Sequence, residues 1–103
     1  MAAKQAAEKF ITEHAIAVFS KSYCPYCTRA KGVISELKVD QKKVGVMELD
    51  EVNNGGDIQN YLLEKTGQRT VPNIFISGKH IGGCDALLKA QSSGELDKLV
   101  ASL

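Results

Sequence analysis

The feature that most limits how this chain folds is a junction near its start. The apolar run Ala15-Ile16-Ala17-Val18-Phe19 gives way within a few residues to Cys24-Pro25-Tyr26-Cys27, where a helical pattern begins. An unbroken apolar run of that length fits a strand covered on both faces, as in sheets flanked by crossover helices. Pro25 suits the first helical position, where a missing N–H costs nothing and φ is already right. With Cys24 as the cap, its thiol faces the free amides of Tyr26 and Cys27. The helix dipole contributes only roughly 0.3–1 kcal/mol to a thiolate there, too little alone. Hydrogen bonds to a charged acceptor contribute about 1.5–3 kcal/mol each, so amides aimed at the sulfur, with Lys21 nearby, lower its pKa further. Cys24 is the expected nucleophile, and Cys27, one turn inward, its resolving partner.

Two other readings of the pair compete. A Cys-x-x-Cys is also half of a zinc site, and His80 and Cys84 complete a Cys3His set on paper. Zinc half-sites sit on tight turns in chains too small to fold without metal, whereas this pair opens a helix in a chain with ample core. Two inert buried cysteines are the other alternative, and proline and tyrosine between them at a helix start argue for exposure instead.

With 103 residues, 44% of them hydrophobic, residues 1–103 fit one domain that needs no disulfide staples. Thirteen basic against twelve acidic side chains leave no global field for nucleic acid or a membrane surface. An odd count of three cysteines argues against a secreted disulfide framework. Residues 1–14 carry dispersed charges and no apolar signal core, and no run approaches membrane-spanning length. A cytoplasmic monomer with no metal or bound cofactor is expected.

Hydrophobic periodicity predicts the elements. Residues 3–13 fit an amphipathic helix, residues 15–19 a strand, residues 24–37 a helix and residues 44–49 a second strand, giving a parallel right-handed unit. Asn53 or Asn54 is expected to cap a third helix carrying Ile58, Tyr61 and Leu62, which Gly67 stops. Residues 73–76 and 79–81 read as a hairpin around Ser77-Gly78, and helical pattern resumes near Asp85 with a break at Gly94. The predicted fold class is α/β, thioredoxin-like, a four-stranded mixed sheet with helices on both faces.

Three segments then resemble a known family. Lys21-Ser22-Tyr23-Cys24-Pro25-Tyr26-Cys27, Thr70-Val71-Pro72-Asn73 and Gly82-Gly83-Cys84-Asp85 are similar, in order and spacing, to the active-site, cis-proline and glutathione-binding motifs of dithiol glutaredoxins of the CPYC type. The resemblance spans essentially the whole chain. It implies a glutathione-dependent disulfide oxidoreductase acting on glutathionylated and disulfide-containing proteins, with glutathione as co-substrate. It also implies a cis bond before Pro72, which on its own is as well a trans turn residue.

Glutathione presents two carboxylates, an ammonium and a peptide backbone, so its receptor needs cations, an anion-binding helix start, an acid and a strand edge. Lys21 and Arg69, with Gln59 as a neutral donor, suit the glycine carboxylate, and the Cys84 and Asp85 amides suit the γ-glutamyl carboxylate. Asp85 suits the ammonium, Thr70 belongs to the matching motif, Val71 offers its backbone to the cysteinyl residue, and Tyr26 supplies an aromatic wall. Taken singly, Lys21, Gln59 and Arg69 read as solvated surface, and Cys84 as a small buried hydrophobe whose amide matters more than its thiol. His14 and His80 have no evident partner in the sequence.

Two rival functions come from neighbouring classes. Some glutaredoxins hold a [2Fe-2S] cluster through the first cysteine and glutathione, but they usually carry a small residue where this chain has Pro25. Thioredoxins normally place tryptophan before the first cysteine and Gly-Pro between the pair, and this chain has no tryptophan.

Overall fold

The computed structural model describes residues 2–103. Helix α1 spans Ala2–Glu13, strand β1 Ile16–Ser20, helix α2 Pro25–Ser35, strand β2 Val44–Glu48 and helix α3 Gly55–Thr66. Strands β3 (Asn73–Ile76) and β4 (Lys79–Gly82) follow, then helices α4 (Cys84–Ser93) and α5 (Glu95–Val100). The strand order is β2-β1-β3-β4. β1 runs parallel to β2, with Ile16 opposite Val44 and Ser20 opposite Glu48, and antiparallel to β3, with Phe19 opposite Asn73. β3 and β4 form the expected hairpin, turning at Ser77 and Gly78, both at positive φ as a two-residue turn matched to strand twist requires.

Every residue of β1 is buried, which explains its unbroken apolar character. Ile16 and Val18 join Ala30, Ile34, Ile74, Ile76, Leu87 and Leu96 in a core under α2, α4 and α5. Ala17 and Phe19 point the other way, into a second core with Ala7, Ile11, Ile58, Leu62 and Phe75 under α1 and α3. There Phe19 and Phe75 meet edge to face, their centroids 6.0 Å apart. The central strand therefore locks both helical layers, and its end at Ser20 fixes where the cysteine loop departs. No helix among the described residues is long and apolar enough to cross a membrane.

Strand and helix ends differ from expectation by one or two residues, β1 running Ile16–Ser20, β2 ending at Glu48 and β4 at Gly82, and the helix ends show why. α2 stops at Ser35, and Leu37 packs onto the core from the loop beyond it. α4 begins one residue early, at Cys84. Asn54 does occupy the cap of α3, but its side chain makes no capping bond. What the α3 start requires is Gly55, since a Cβ there would lie 1.8 Å from the Leu49 carbonyl oxygen.

Candidate active site

Cys24 caps α2 with extended backbone angles (φ −86°, ψ 120°), and Pro25 takes the first turn, as the sequence predicts. The loop reaching it is tied at both ends: Cys24 N–H donates to Lys21 O at 3.1 Å, and Ser22 N–H donates to Asp50 Oδ1 at 2.9 Å. The Ser22 hydroxyl also donates to the second Asp50 oxygen, and these bonds hold the Asp50 carboxyl below its usual range. Asp50 thus pins the cysteine loop to the end of β2.

The two thiols of the pair, both free, are set apart by their surroundings. Partial burial pushes the Cys24 thiol up, but the Cys27 amide, a hydrogen bond with the Cys27 thiol, the Tyr26 amide and the charge of Lys31 outweigh it, and Cys24 lies below the ordinary thiol range. Cys27 is fully buried, and that burial, with the neighbouring Cys24, raises its pKa. The more exposed thiol of the pair is therefore the more acidic one, and the buried thiol beneath it the less acidic. The charge that bears on Cys24 among the larger contributions is that of Lys31, one helical turn beyond Cys27, and the charge of Lys21 bears on Asp50. Lys31 is held by Glu48 at 2.8 Å.

The Cys24 thiol points at Val71 O, 4.0 Å away, and the Val71–Pro72 bond is cis. From there a groove of about 540 Å³ runs to the start of α4. Its walls bring together Tyr26, Thr70, Val71, Pro72, Cys84 and Asp85, six of the residues singled out from sequence. Gly83 caps α4 without a side-chain bond, so the first amides of that helix open onto the groove. Gly82 precedes it at φ 123°, a conformation side chains resist, and a Cβ there would press within 3.0 Å of Ala86 Cβ. The Cys84 thiol itself is buried in the core.

Lys21, Gln59 and Arg69 lie outside the groove walls. Gln59 is not solvated surface: it is buried, and its Nε2 donates to Arg69 O at 2.8 Å. Arg69 Nε donates to Asn60 Oδ1 at 3.1 Å, which orients the guanidinium and leaves its terminal nitrogens free of that bond.

Both histidines have partners. His14 Nδ1 donates to Phe10 O, and His80 Nε2 donates to Asn73 Oδ1, each at 2.9 Å. Among the described residues no group of three or more His, Cys, Asp or Glu side chains is placed to hold a metal ion. Residues unmarked in the sequence complete the site's frame. Gln68, Asp50 and Lys31 act through contacts two to twenty-eight residues away, for which no local pattern exists.

A glutaredoxin family model matches residues 16–81. Glutaredoxin-1 of Rhizophagus irregularis is 52% identical over 100 residues, covering 97% of this chain and 96% of that protein. Glutaredoxin-1 of Saccharomyces cerevisiae is 52% identical over 91 residues, covering 87% and 83%. Among solved structures, a buckwheat glutaredoxin–glutathione complex superposes with a TM-score of 0.92 at 42% identity, covering 98% of this chain and 89% of that one. The holo form of glutaredoxin C1 from Populus tremula x tremuloides also reaches 0.92, at 38% identity, covering 99% and 98%.

Proposed function

Because the chain belongs to the glutaredoxin family of oxidoreductases, we propose that it is a glutathione-dependent reductant of protein–glutathione mixed disulfides and protein disulfides, with Cys24 as nucleophile and Cys27 as resolving thiol. The observation that carries this is the placement of an activated Cys24 sulfur beside the open edge of the Val71–Pro72 segment, at one end of a groove whose other end is a helix start.

Chemistry follows from that placement. The Cys24 thiolate attacks the glutathione sulfur of a mixed disulfide; one S–S bond forms as another breaks, and the protein thiolate leaves with the electron pair. A second glutathione thiolate attacks the Cys24–glutathione disulfide, giving oxidised glutathione and restoring the Cys24 thiolate. With a protein disulfide, Cys24 attacks one sulfur and the other leaves as the first substrate thiolate. The Cys27 sulfur then attacks Cys24, breaking its bond to the substrate, and the second substrate thiolate departs and takes up the Cys27 proton. Glutathione then reduces the resulting Cys24–Cys27 disulfide. The raised pKa of Cys27 keeps it protonated until that step, so it does not compete with Cys24 for substrate.

Glutathione fits the groove as an added strand. Its cysteinyl backbone meets Val71 N–H and C=O beside Thr70 and Pro72, which aims its sulfur at Cys24. The γ-glutamyl carboxylate takes the Cys84 and Asp85 amides at the start of α4, and the Asp85 carboxylate takes the ammonium. Tyr26 walls the thiol end, while Lys21 and Arg69 meet the glycine carboxylate. Gln59 serves by fixing the Arg69 carbonyl from beneath. The activity is assigned to a monomer in the cytoplasm, a placement supported by near-balanced charge and an odd cysteine count.

The test is steady-state turnover of a glutathionylated peptide with glutathione, glutathione reductase and NADPH. Turnover is expected to depend on Cys24, and a protein reduced only by a thioredoxin reductase would sink the proposal.

A further inference from the structure

Gln68 follows the Gly67 cap of α3, and its side chain lies where the two walls of the groove meet. Its Nε2 donates to Thr70 O at 3.1 Å and to Pro72 O at 3.0 Å. A side-chain amide nitrogen carries two hydrogens, so these bonds use its full donor capacity. The same amide lies against the opposite wall: a Cβ built on Gly83 would be 3.7 Å from Gln68 Nε2, and one on Gly82 would be 3.9 Å from Oε1.

The backbone beneath this side chain is fixed as well. Gln68 N–H donates to Thr66 Oγ1 at 3.1 Å, and Asn73 Nδ2 donates to Gln68 O at 3.4 Å. Asn73 is itself buried and held through its Oδ1 by His80. Gln68 is therefore a bracket on a rigid base, gripping the carbonyls on either side of Val71.

That grip decides which peptide can pair with a ligand. One side-chain nitrogen reaches both Thr70 O and Pro72 O, so these two carbonyls lie on the Gln68 side, while the carbonyl between them, Val71 O, is the one the Cys24 thiol meets. With those two carbonyls bonded to Gln68, and with no N–H on Pro72, Val71 is the residue of the segment that still offers both an N–H and a C=O. The Val71 carbonyl is also the atom the Cys24 thiol points at. A slip of one residue would turn the wrong peptide toward the thiol.

We propose that Gln68 is a positioning residue that sets the register of the bound peptide backbone, bridging the Thr70 and Pro72 carbonyls so that Val71 alone pairs with the glutathione moiety in front of Cys24. The inference deepens the proposed function and rests on it. Gln68 touches neither the reacting sulfurs nor the proton they exchange, so its effect falls on substrates that carry the glutathionyl backbone.

The experiment compares wild type with Gln68→Met, which keeps length and loses the donors, and Gln68→Glu, which keeps shape but sets a carboxylate against two carbonyl oxygens. Each is assayed on one peptide disulfide-linked either to glutathione or to 2-mercaptoethanol, and Cys24 ionisation is followed by thiolate absorbance. The expected result is a rise of about tenfold in KM for the glutathionylated peptide, the scale of one good hydrogen-bonded contact. The mercaptoethanol disulfide and the Cys24 titration should be unchanged. Equal losses on both substrates, or no loss on either, overturn the inference. A wild type that shows no preference for the glutathionylated peptide overturns the underlying reading and the inference with it.

A measurement on wild type alone covers the case in which neither variant folds. S-methylglutathione, which cannot exchange, should slow hydrogen exchange at the Val71 amide and not at Thr70, and protection at Thr70 instead overturns the proposed register.

Discussion

Replacing Gln59 by methionine should weaken both the fold and the grip on glutathione by a related amount. Gln59 is 6% exposed, and its Nε2 reaches Arg69 O at 2.8 Å, so the bond is shielded on the Gln59 side. Removing one partner of a buried neutral hydrogen bond costs about 1–3 kcal/mol. Arg69 is exposed and its carbonyl can partly rehydrate, which places the loss near the low end, about 1 kcal/mol. For a domain of this size that lowers Tm by about 4–8 °C. The bond also holds the segment leading to Val71. If the full loss falls on the binding-competent arrangement, the KM for a glutathionylated peptide rises about fivefold. Differential scanning fluorimetry and steady-state kinetics on the same preparation measure the two together, with kcat expected to stay near wild type. A lower Tm with an unchanged KM would confine Gln59 to packing, and an unchanged Tm would refute the hydrogen-bond reasoning itself.

Two further outcomes follow from the titrating groups. Because the Cys24 pKa is depressed and the Cys27 pKa raised, a brief iodoacetamide pulse below the ordinary thiol range of about 8.5 should label Cys24 and spare Cys27, which peptide mass mapping reads directly. Equal labelling of the two would remove the separation of roles. Burial holds His80 below the usual imidazole range, so the unfolded chain binds its proton more readily than the folded one. Stability from this source is complete above about pH 6.5 and declines as pH falls through that value toward the folded pKa. Denaturant midpoints at about pH 7.5 and 5 should fall further for wild type than for His80→Gln, which keeps a donor toward Asn73 without an ionisable ring. Parallel slopes would show that His80 titrates alike in both states.

The layout was legible wherever a local pattern matched a buried face. β1 announced itself because both faces are covered, and α2 because Cys24 and Pro25 mark a helix start. The three site motifs were legible too, and the fold brings eight of their residues onto one groove. Long-range bonds were not. Asp50 pins Ser22 across twenty-eight residues, Lys31 adds its charge at Cys24, and Gln59 donates to the Arg69 carbonyl. Each depends on which side chains the sheet brings together, and that follows from strand order, not from spacing. Asn54 takes the cap position of α3 as expected, but without a side-chain bond, and the close approach of Gly55 to Leu49 marks the start of the helix instead.

The most direct test of the central claim is to trap the covalent intermediate. A Cys27→Ser variant, mixed with a glutathionylated peptide in the absence of free glutathione, should gain one glutathionyl group per chain by intact mass, mapped to Cys24, as the peptide thiol appears in equal amount. With glutathione added, the variant should turn over the mixed disulfide at least as well as wild type, while losing reduction of protein disulfides that need a resolving thiol. A glutathionyl group mapped to Cys84, or a Cys27→Ser variant as inactive on the mixed disulfide as Cys24→Ser, would contradict the account.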